Sequence, residues 1–459
     1  MRLSLGGVRR EAILTGSLRS TLLQLALPVL LEQFLSFCVG LYDTFLAGHL
    51  GEGVSDVATA AVGIGAYISW LATLLFSFVS AGTTALVARA QGRGDVPEAV
   101  RVTNQSFTLG LMVGALFAAC IIPTAGIVVG FLLPTEEAAV IAARYLRIDA
   151  IGLIFSSLSY VGAAALRGSG NTRLPMLMFV VVAAVNVVAS STLVFGLGPV
   201  PEFGIDGIVF GTVIARMTGG LLMTIALIAG VSGLRLKLAE LRKLDDIARR
   251  ILNIGIPAAL DGIAMWMGHY LFLKIVGSFG ETAFAAHIVG IRVEALTYLP
   301  AVAWAAAAAT MIGQSLGEGL HDRARRAGHE AVLQCGVLGV FITIAFYFGA
   351  GLIYHTMNNS EAVAAVGVPA FRMVALFQLP LIAAIVYAGG LRGAGDTRIP
   401  MWITLFTTLV VRLPAAWLFG VVLGGGLYGA WIGMCLDMLF RGVLLSVRFW
   451  RGGWERVRV

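Results

Sequence analysis

The chain has 459 residues, of which 58% are hydrophobic and only 12% charged, with a mean hydropathy of +0.90. Soluble domains carry about 25% charged residues, so this composition excludes an ordinary water-soluble protein and points to a chain whose solvent is mostly lipid. The net charge of +7 does not make a nucleic-acid binder, because Lys and Arg sit at intervals between apolar stretches and form no single patch.

Taken in chain order, the apolar stretches predict helices at 21–47, 58–88, 98–122, 138–166, 174–196 and 204–231. A second set follows at 247–276, 283–313, 327–354, 362–391, 399–420 and 427–450. Each is long enough for a hydrocarbon core of roughly 30 Å at about 1.5 Å per residue. Glycine is abundant, at 57 residues, which suits membrane helices whose backbones approach closely.

The cationic residues fall in alternate connections. One side holds Arg2, Arg9, Arg10 and Arg19, then Arg89, Arg93 and Arg101, then Arg167 and Arg173. It also holds Arg235, Lys237, Arg242, Lys243, Arg249 and Arg250, then Arg323, Arg325, Arg326, Arg392 and Arg398, and finally Arg448, Arg451, Arg456 and Arg458. The opposite connections 48–57, 197–206 and 355–361 hold none. The positive-inside rule then places both termini in the cytoplasm of a multi-pass protein of the inner cell membrane. Residues 1–20 do not read as a cleavable signal, since the following apolar stretch is too long and no small-residue site closes it. Cys38, Cys120, Cys335 and Cys435 all fall in predicted spans without metal-type spacing, so neither a disulfide nor a metal site is expected.

The chain is written twice. Leu166–Met176 reads LRGSGNTRLPM and Leu391–Met401 reads LRGAGDTRIPM, matching at eight of eleven positions at an offset of 225. Gly92 and Gly94 pair with Gly317 and Gly319 at that offset, Arg147 with Arg372, and Arg216 with Arg441. At an offset of 229, Pro28 pairs with Pro257, Glu32 with Asp261, and Gly48 and Gly51 with Gly277 and Gly280. The expected fold is therefore all-α integral membrane, with about twelve transmembrane helices in two pseudo-symmetric six-helix bundles. The lobes are 1–231 and 251–459, with 232–250 as a cytoplasmic linker. Six helices per half give both halves the same sense across the membrane, an arrangement of alternating-access transporters more than of channels. The repeated RGxGxTRxPM segment reads first as a structural turn. Its glycines allow a tight bend, Asn171 or Asp396 can cap the next helix, and Pro175 or Pro400 suits the first turn.

These residues carry a resemblance. Pro28–Gly51, PVLLEQFLSFCVGLYDTFLAGHLG, resembles the first helix of the multidrug and toxic compound extrusion (MATE) family. The two RGxGxTR turns, SLGEG at Ser315–Gly319 and FGLGPVPEFG at Phe195–Gly204 are similar to that family too. The resemblance runs over nearly the whole chain and lies closer to the DinF-like branch. It implies twelve helices in two lobes and export of amphipathic, often cationic small molecules, driven by entry of protons or sodium. It also implies that Asp43 couples to the cation and that Pro28 bends the first helix. The fifth-helix motif Asn-x-x-x-Asp reads Asn186-Val-Val-Ala-Ser190 here, so the second carboxylate of a sodium site is absent; Thr212 corresponds to a sixth-helix threonine. The tenth-helix acid of the NorM-like branch is absent as well, since Gln378-Leu379-Pro380-Leu381 carries none.

Apart from resemblance, a carboxylate inside a membrane helix is costly and therefore a functional candidate. The repeat places Phe272 opposite Asp43 and Val374 opposite Asp149, so the fold can be built without a charge at either position. Burial favours a neutral carboxyl and hydrogen-bond donors a charged one, so protonation of Asp43 can follow its lobe's conformation. Glu32 and Asp261 repeat each other and suggest a shared structural or gating role, while Asp437 and Arg441, four apart, suit an intrahelical pair. His269 and His287 read mainly as packing residues, and Lys274 as a snorkelling one. Tyr42, Tyr67, Phe155, Tyr160, Asp149, Met265 and Glu294 form the candidate substrate cavity, although aromatics and Met at such positions also serve as core or lipid-facing residues.

The functional expectation is a proton-coupled antiporter, working as a monomer in the lipid bilayer through Asp43, without a cofactor. Sodium is the alternative ion, held by oxygens of Asp43, Asn186, Ser190 and Thr212. A flippase for a lipid or lipid-linked glycan is the alternative function. An enzyme is disfavoured, because the chain lacks His/Cys ligand clusters, a phosphate-binding glycine loop with lysine, and a long soluble domain.

Overall fold

The computed structural model of the chain describes residues 7–50, 55–130, 136–241 and 244–457. Arg2, Arg242, Lys243 and Arg458 of the cationic connections lie outside them, as do 51–54 of the outer connection 48–57. The described residues are helical almost throughout, as membrane backbone must be when no water can satisfy its polar groups.

Twelve long helices follow in order. In the first half they are α1 (Leu18–Gly48), α2 (Ser55–Arg93), α3 (Val96–Gly130), α4 (Glu136–Gly168), α5 (Arg173–Phe195) and α6 (Ile205–Ile228). In the second half α7 is Asp246–Gly277, α8 Glu281–Gly317 and α9 His321–Met357. Helix α10 has two pieces, Glu361–Ala375 and Gln378–Ala394, bent by 53° at a short break. Helix α11 begins as Arg398–Phe406, passes through π-helical stretches at Thr407–Arg412 and Leu418–Val422, and is followed by α12 (Gly426–Trp450). Ten of these are long and apolar enough to cross a membrane, and the bent α10 makes an eleventh. The twelfth, α4, is 33 residues long, and Arg144, Arg147 and Asp149 lower its apolarity. The chain is thus an all-α integral membrane protein with twelve spans.

It divides into two compact units. The first comprises Met1–Arg9 and Leu31–Gly255, the second Arg10–Leu30 and Ile256–Val459. Two of the boundaries fall inside helices: the first thirteen residues of α1 go with the second unit, and the first ten of α7 with the first. Pro28, in the interior of α1, is buried just before one boundary. In the first unit, α4 packs between α2, α3 and α6, and α5 lies along α6; in the second, α8 packs on α9 and α10, and α10 on α12.

The linker region belongs to the first unit. Asn104 on α3 donates to the carbonyl of Arg235 at 2.9 Å and accepts from Lys237 N at 2.7 Å, and Thr108 donates to the Leu241 carbonyl at 2.7 Å. The repeated turns are built on glycines in left-handed conformation, Gly170 (φ 91°) and Gly395 (φ 88°), where a side chain would be strained. Asn171 then accepts from the backbone N–H of Leu174 at 3.1 Å, capping α5, whereas Asp396 accepts from Arg448 Nε and Nη2 at 2.9 and 2.7 Å.

Candidate functional site

Four residues singled out from the sequence meet in the first unit. Asp43 comes from α1, Asn186 and Ser190 from one face of α5, a turn apart, and Thr212 from α6. Asn186 Nδ2 donates to Thr212 Oγ1 at 3.3 Å, and Thr212 Oγ1 lies 3.5 Å from Asp43 Oδ2 and 3.0 Å from the carbonyl of Ile208. Helices α5 and α6 meet closely here because Gly211 lacks a side chain: a Cβ at that position would stand 2.2 Å from Ser190 Oγ. Three oxygens of the cluster, Asp43 Oδ1, Asn186 Oδ1 and Ser190 Oγ, are buried with no hydrogen-bond partner among the described residues. Such unpaired acceptors are costly to bury. Tyr42, one residue before Asp43, places its hydroxyl 2.5 Å from Ser191 Oγ.

A second polar group in the same unit is fully paired. Asp149 is 1% exposed and accepts from Arg216 Nη1 at 2.7 Å and from Ser69 at 3.1 Å, while Arg216 Nη2 donates to Ser69 Oγ at 3.0 Å. Asp149, taken from the sequence as a cavity residue, thus lies in a buried ion pair between α4 and α6. Arg216 and Ser69 were not singled out as its partners; the repeat of Arg216 as Arg441 was their one signal.

The remaining cavity candidates have different surroundings within their own units. Tyr67 and Tyr160 are exposed, the latter with its ring 6.0 Å from Phe76, and Phe155 packs where Gly220 of α6 leaves room. Met265 is half-buried on α7, and Glu294 is buried on α8 with Oε1 unpartnered, both in the second unit.

That unit has a polar interior of its own. Asp437 pairs with Arg441 within α12, and Arg412 Nη1 of α11 stands 3.8 Å from the same carboxylate oxygen. The Arg412 guanidinium lies 4.6 Å from the centroid of the Phe272 ring. His287 accepts from Trp431 Nε1 at 3.1 Å, and its ring is 6.0 Å from that of His269. No group of three or more His, Cys, Asp or Glu suited to a metal ion occurs among the described residues.

With the geometry in place, comparison with known proteins decides the family. Residues 28–192 and 257–418, one stretch in each half, match the MatE family model. The chain belongs to the MatE family. It is a multi-pass membrane transporter of the MATE type and not an enzyme. It is 28% identical over 445 residues to the "Probable multidrug resistance protein NorM" of Thermotoga maritima, covering 96% of this chain and 94% of that one. It is 26% identical over 460 residues to "Multidrug resistance protein PmpM" of Pseudomonas aeruginosa, covering 95% and 92%. Among solved structures, an outward-facing multidrug resistance MATE family transporter of the MOP superfamily superposes with a TM-score of 0.90 at 20% identity, covering 98% and 100%. A MATE transporter in a bent conformation gives 0.88 at 21%, covering 97% of each chain.

Proposed function

We propose that this MATE protein is a cation-coupled antiporter that exports amphipathic, often cationic small molecules by alternating access, in the inner cell membrane with both termini cytoplasmic. The observation that carries the coupling is the cluster of Asp43, Asn186, Ser190 and Thr212 with its three unpartnered oxygens. The names of the NorM and PmpM relatives support multidrug export as the activity.

Proton counting favours H⁺ as the ion. Thr212 has one hydroxyl hydrogen, yet its oxygen faces two acceptors, the Ile208 carbonyl at 3.0 Å and Asp43 Oδ2 at 3.5 Å. A proton on Asp43 removes the conflict: the carboxyl donates to Thr212, and Thr212 donates back to Ile208. Proton loss leaves a carboxylate that can only accept, and the Thr212 hydroxyl then turns from the Ile208 carbonyl to donate to it, which changes the contact of α1 with α6. In this mechanism the neutral state favours a bend of α1 at Pro28 and release of cationic cargo. The charged state favours the straighter helix and cargo binding. MATE structures exist in both bent and straight conformations, which supports such a pair of states. Each ligand shifts the equilibrium only by its differential affinity for the two states. Sodium is the second reading, held by the same oxygens with one formal charge.

The test is dye export from proteoliposomes under an imposed proton gradient, then a sodium gradient, for the wild type and Asp43→Asn. Proton-driven export that falls to the rate of empty vesicles in Asp43→Asn supports the reading. Full export in that variant refutes the role of Asp43, and export driven by sodium alone reassigns the ion. A wild type that moves dye under neither gradient, yet binds lipid-linked substrates, would make the chain a flippase.

A further inference from the structure

The two halves repeat each other, so each residue of the proposed coupling site has a counterpart in the second unit. Asp43 corresponds to Phe272 and Thr212 to Asp437. For Asn186 the register changes. Arg173 and Pro175 of α5 match Arg398 and Pro400 of α11 at an offset of 225, but the π-helical stretch Thr407–Arg412 then intervenes. A π turn takes one residue more than an α turn, which moves the counterpart of Asn186 from Val411 to Arg412. The contacts agree with this register. Asn186 touches Thr212, and Arg412 stands 3.8 Å from Asp437; Asp43 borders the Asn186–Thr212 pair, and Phe272 lies under the Arg412 guanidinium at 4.6 Å.

Charge counting gives the substitution a meaning. In the first unit the mid-span charges turned away from the surface are Asp43, Asp149 and Arg216, whereas Arg147 of α4 is exposed; Asp149 and Arg216 neutralise each other, and Asp43 has no cationic partner within ion-pair distance among the described residues. That unit is one positive charge short. In the second unit the buried mid-span charges are Glu294, Asp437, Arg412 and Arg441, whereas Arg292 of α8 is exposed. Asp437 and Arg441 form the pair that repeats the first unit's balance, and Glu294, on α8 at the position of Ser69, is the surplus carboxylate. Arg412 is the surplus cation. Resting on the coupling role of Asp43, we infer that Arg412 is a tethered counterpart of the coupling ion: it fills in the second unit the place that a cation from solution fills in the first. Ion exchange is then confined to the first unit, and removal of the Arg412 charge opens a second cation site at Glu294 and Asp437. His269 and His287 also face this interior, each with an aromatic neighbour, and Arg441 remains as the partner of Asp437.

The experiment counts cations on the purified full-length protein. Proton uptake is read with an indicator dye when pH falls from about 8 to about 5 without sodium, and binding of radioactive sodium alone is read at the higher pH. Arg412→Gln is expected to hold one more proton or one more sodium ion per chain than the wild type. Arg412→Lys, which keeps a tethered cation, is expected to leave both counts unchanged, and Arg412→Gln/Glu294→Gln to return them to the wild-type value. Should Arg412→Gln fail to fold, the neutralised double variant is still expected to fold and to show the wild-type count. Unchanged counts in a folded Arg412→Gln, or the same gain in Arg412→Lys, overturn the inference, as does a double variant that folds with an altered count. Asp43→Asn, counted alongside, separates the two ideas: a count that does not drop there refutes the coupling site of the first unit while leaving the Arg412 comparison to stand or fall by itself.

Discussion

Arg167 Nη2 donates to Glu32 Oε1 at 3.1 Å, and the repeat builds the same pair again, with Arg392 Nη1 3.9 Å from Asp261 Oδ2. Each arginine is the first of an RGxGxTR turn, and each carboxylate stands four residues after the proline of the half's first helix. The turn therefore clasps the first helix just past the point where a proline has removed a backbone hydrogen bond. The other oxygen of each carboxylate, Glu32 Oε2 and Asp261 Oδ1, is buried without a hydrogen-bond partner among the described residues. The clasp holds by one oxygen only.

A half-buried pair of this kind should matter more than an exposed one. Arg167→Ala is expected to lower stability by about 2 kcal/mol, the scale of a hydrogen bond to a charged group. Arg19→Ala, whose side chain is 76% exposed beside Glu330, should cost under about 1 kcal/mol. Thermal unfolding in detergent compares them, and the swap Glu32→Arg/Arg167→Glu should recover part of the loss. Equal melting points for the two alanine variants would dismiss the clasp.

The Asp149–Arg216 pair predicts a different pattern. Asp149→Asn leaves the Arg216 charge buried beside Ser69 and should cost about 3 kcal/mol or more, whereas Asp149→Leu/Arg216→Met should recover most of it. Denaturation midpoints decide this. If the double variant is no better than the single, the pair does more than balance charge.

At Gly211 a side chain meets Ser190 before anything else. Gly211→Val should part α5 from α6 at an overpacking cost of about 1–3 kcal/mol. Because Ser190 and Thr212 are displaced together, gradient-driven export should fall by more than the loss of folded protein explains. Export per folded molecule, measured in vesicles, is the readout; a value equal to wild type would place the cluster outside the coupling step.

Pro28 removes a backbone donor from the interior of α1. Pro28→Ala restores it, so the variant should melt at or above the wild-type temperature and yet export several-fold more slowly, because a straight α1 is favoured in both protonation states. Unchanged turnover would separate the proline from the transport cycle.

Much of this was legible in the sequence. Hydropathy and alternating arginines suffice for a membrane chain because lipid imposes helix and charge asymmetry residue by residue, and the apolar stretch 138–166 falls within α4 although Arg144, Arg147 and Asp149 lie in it. The meeting of Asp43, Asn186, Ser190 and Thr212 was legible through family resemblance. The partner of Asp149 was not: Arg216 is 67 residues away on another helix, and one sequence shows charges without showing which face which. Arg412 escaped for a more specific reason. A π-helical turn shifts α11 by one residue against α5, and a repeat read at constant offset sets Asn186 against Val411.

The helices that straddle the unit boundaries bear on how such a protein could be divided. Residues Arg10–Leu30 are packed into the second unit although they belong to the first half of the sequence, and the start of α7 is packed into the first. A gene cut within 232–250, the point that the repeat marks as its seam, would yield two fragments that each carry a stretch belonging to the other. Co-expressed fragments should reassemble, because each supplies what its partner lacks. Either one alone would enter the bilayer with a raw apolar edge, bait for proteases and chaperones, so a modern two-gene version of this chain would have to be expressed as an obligate pair.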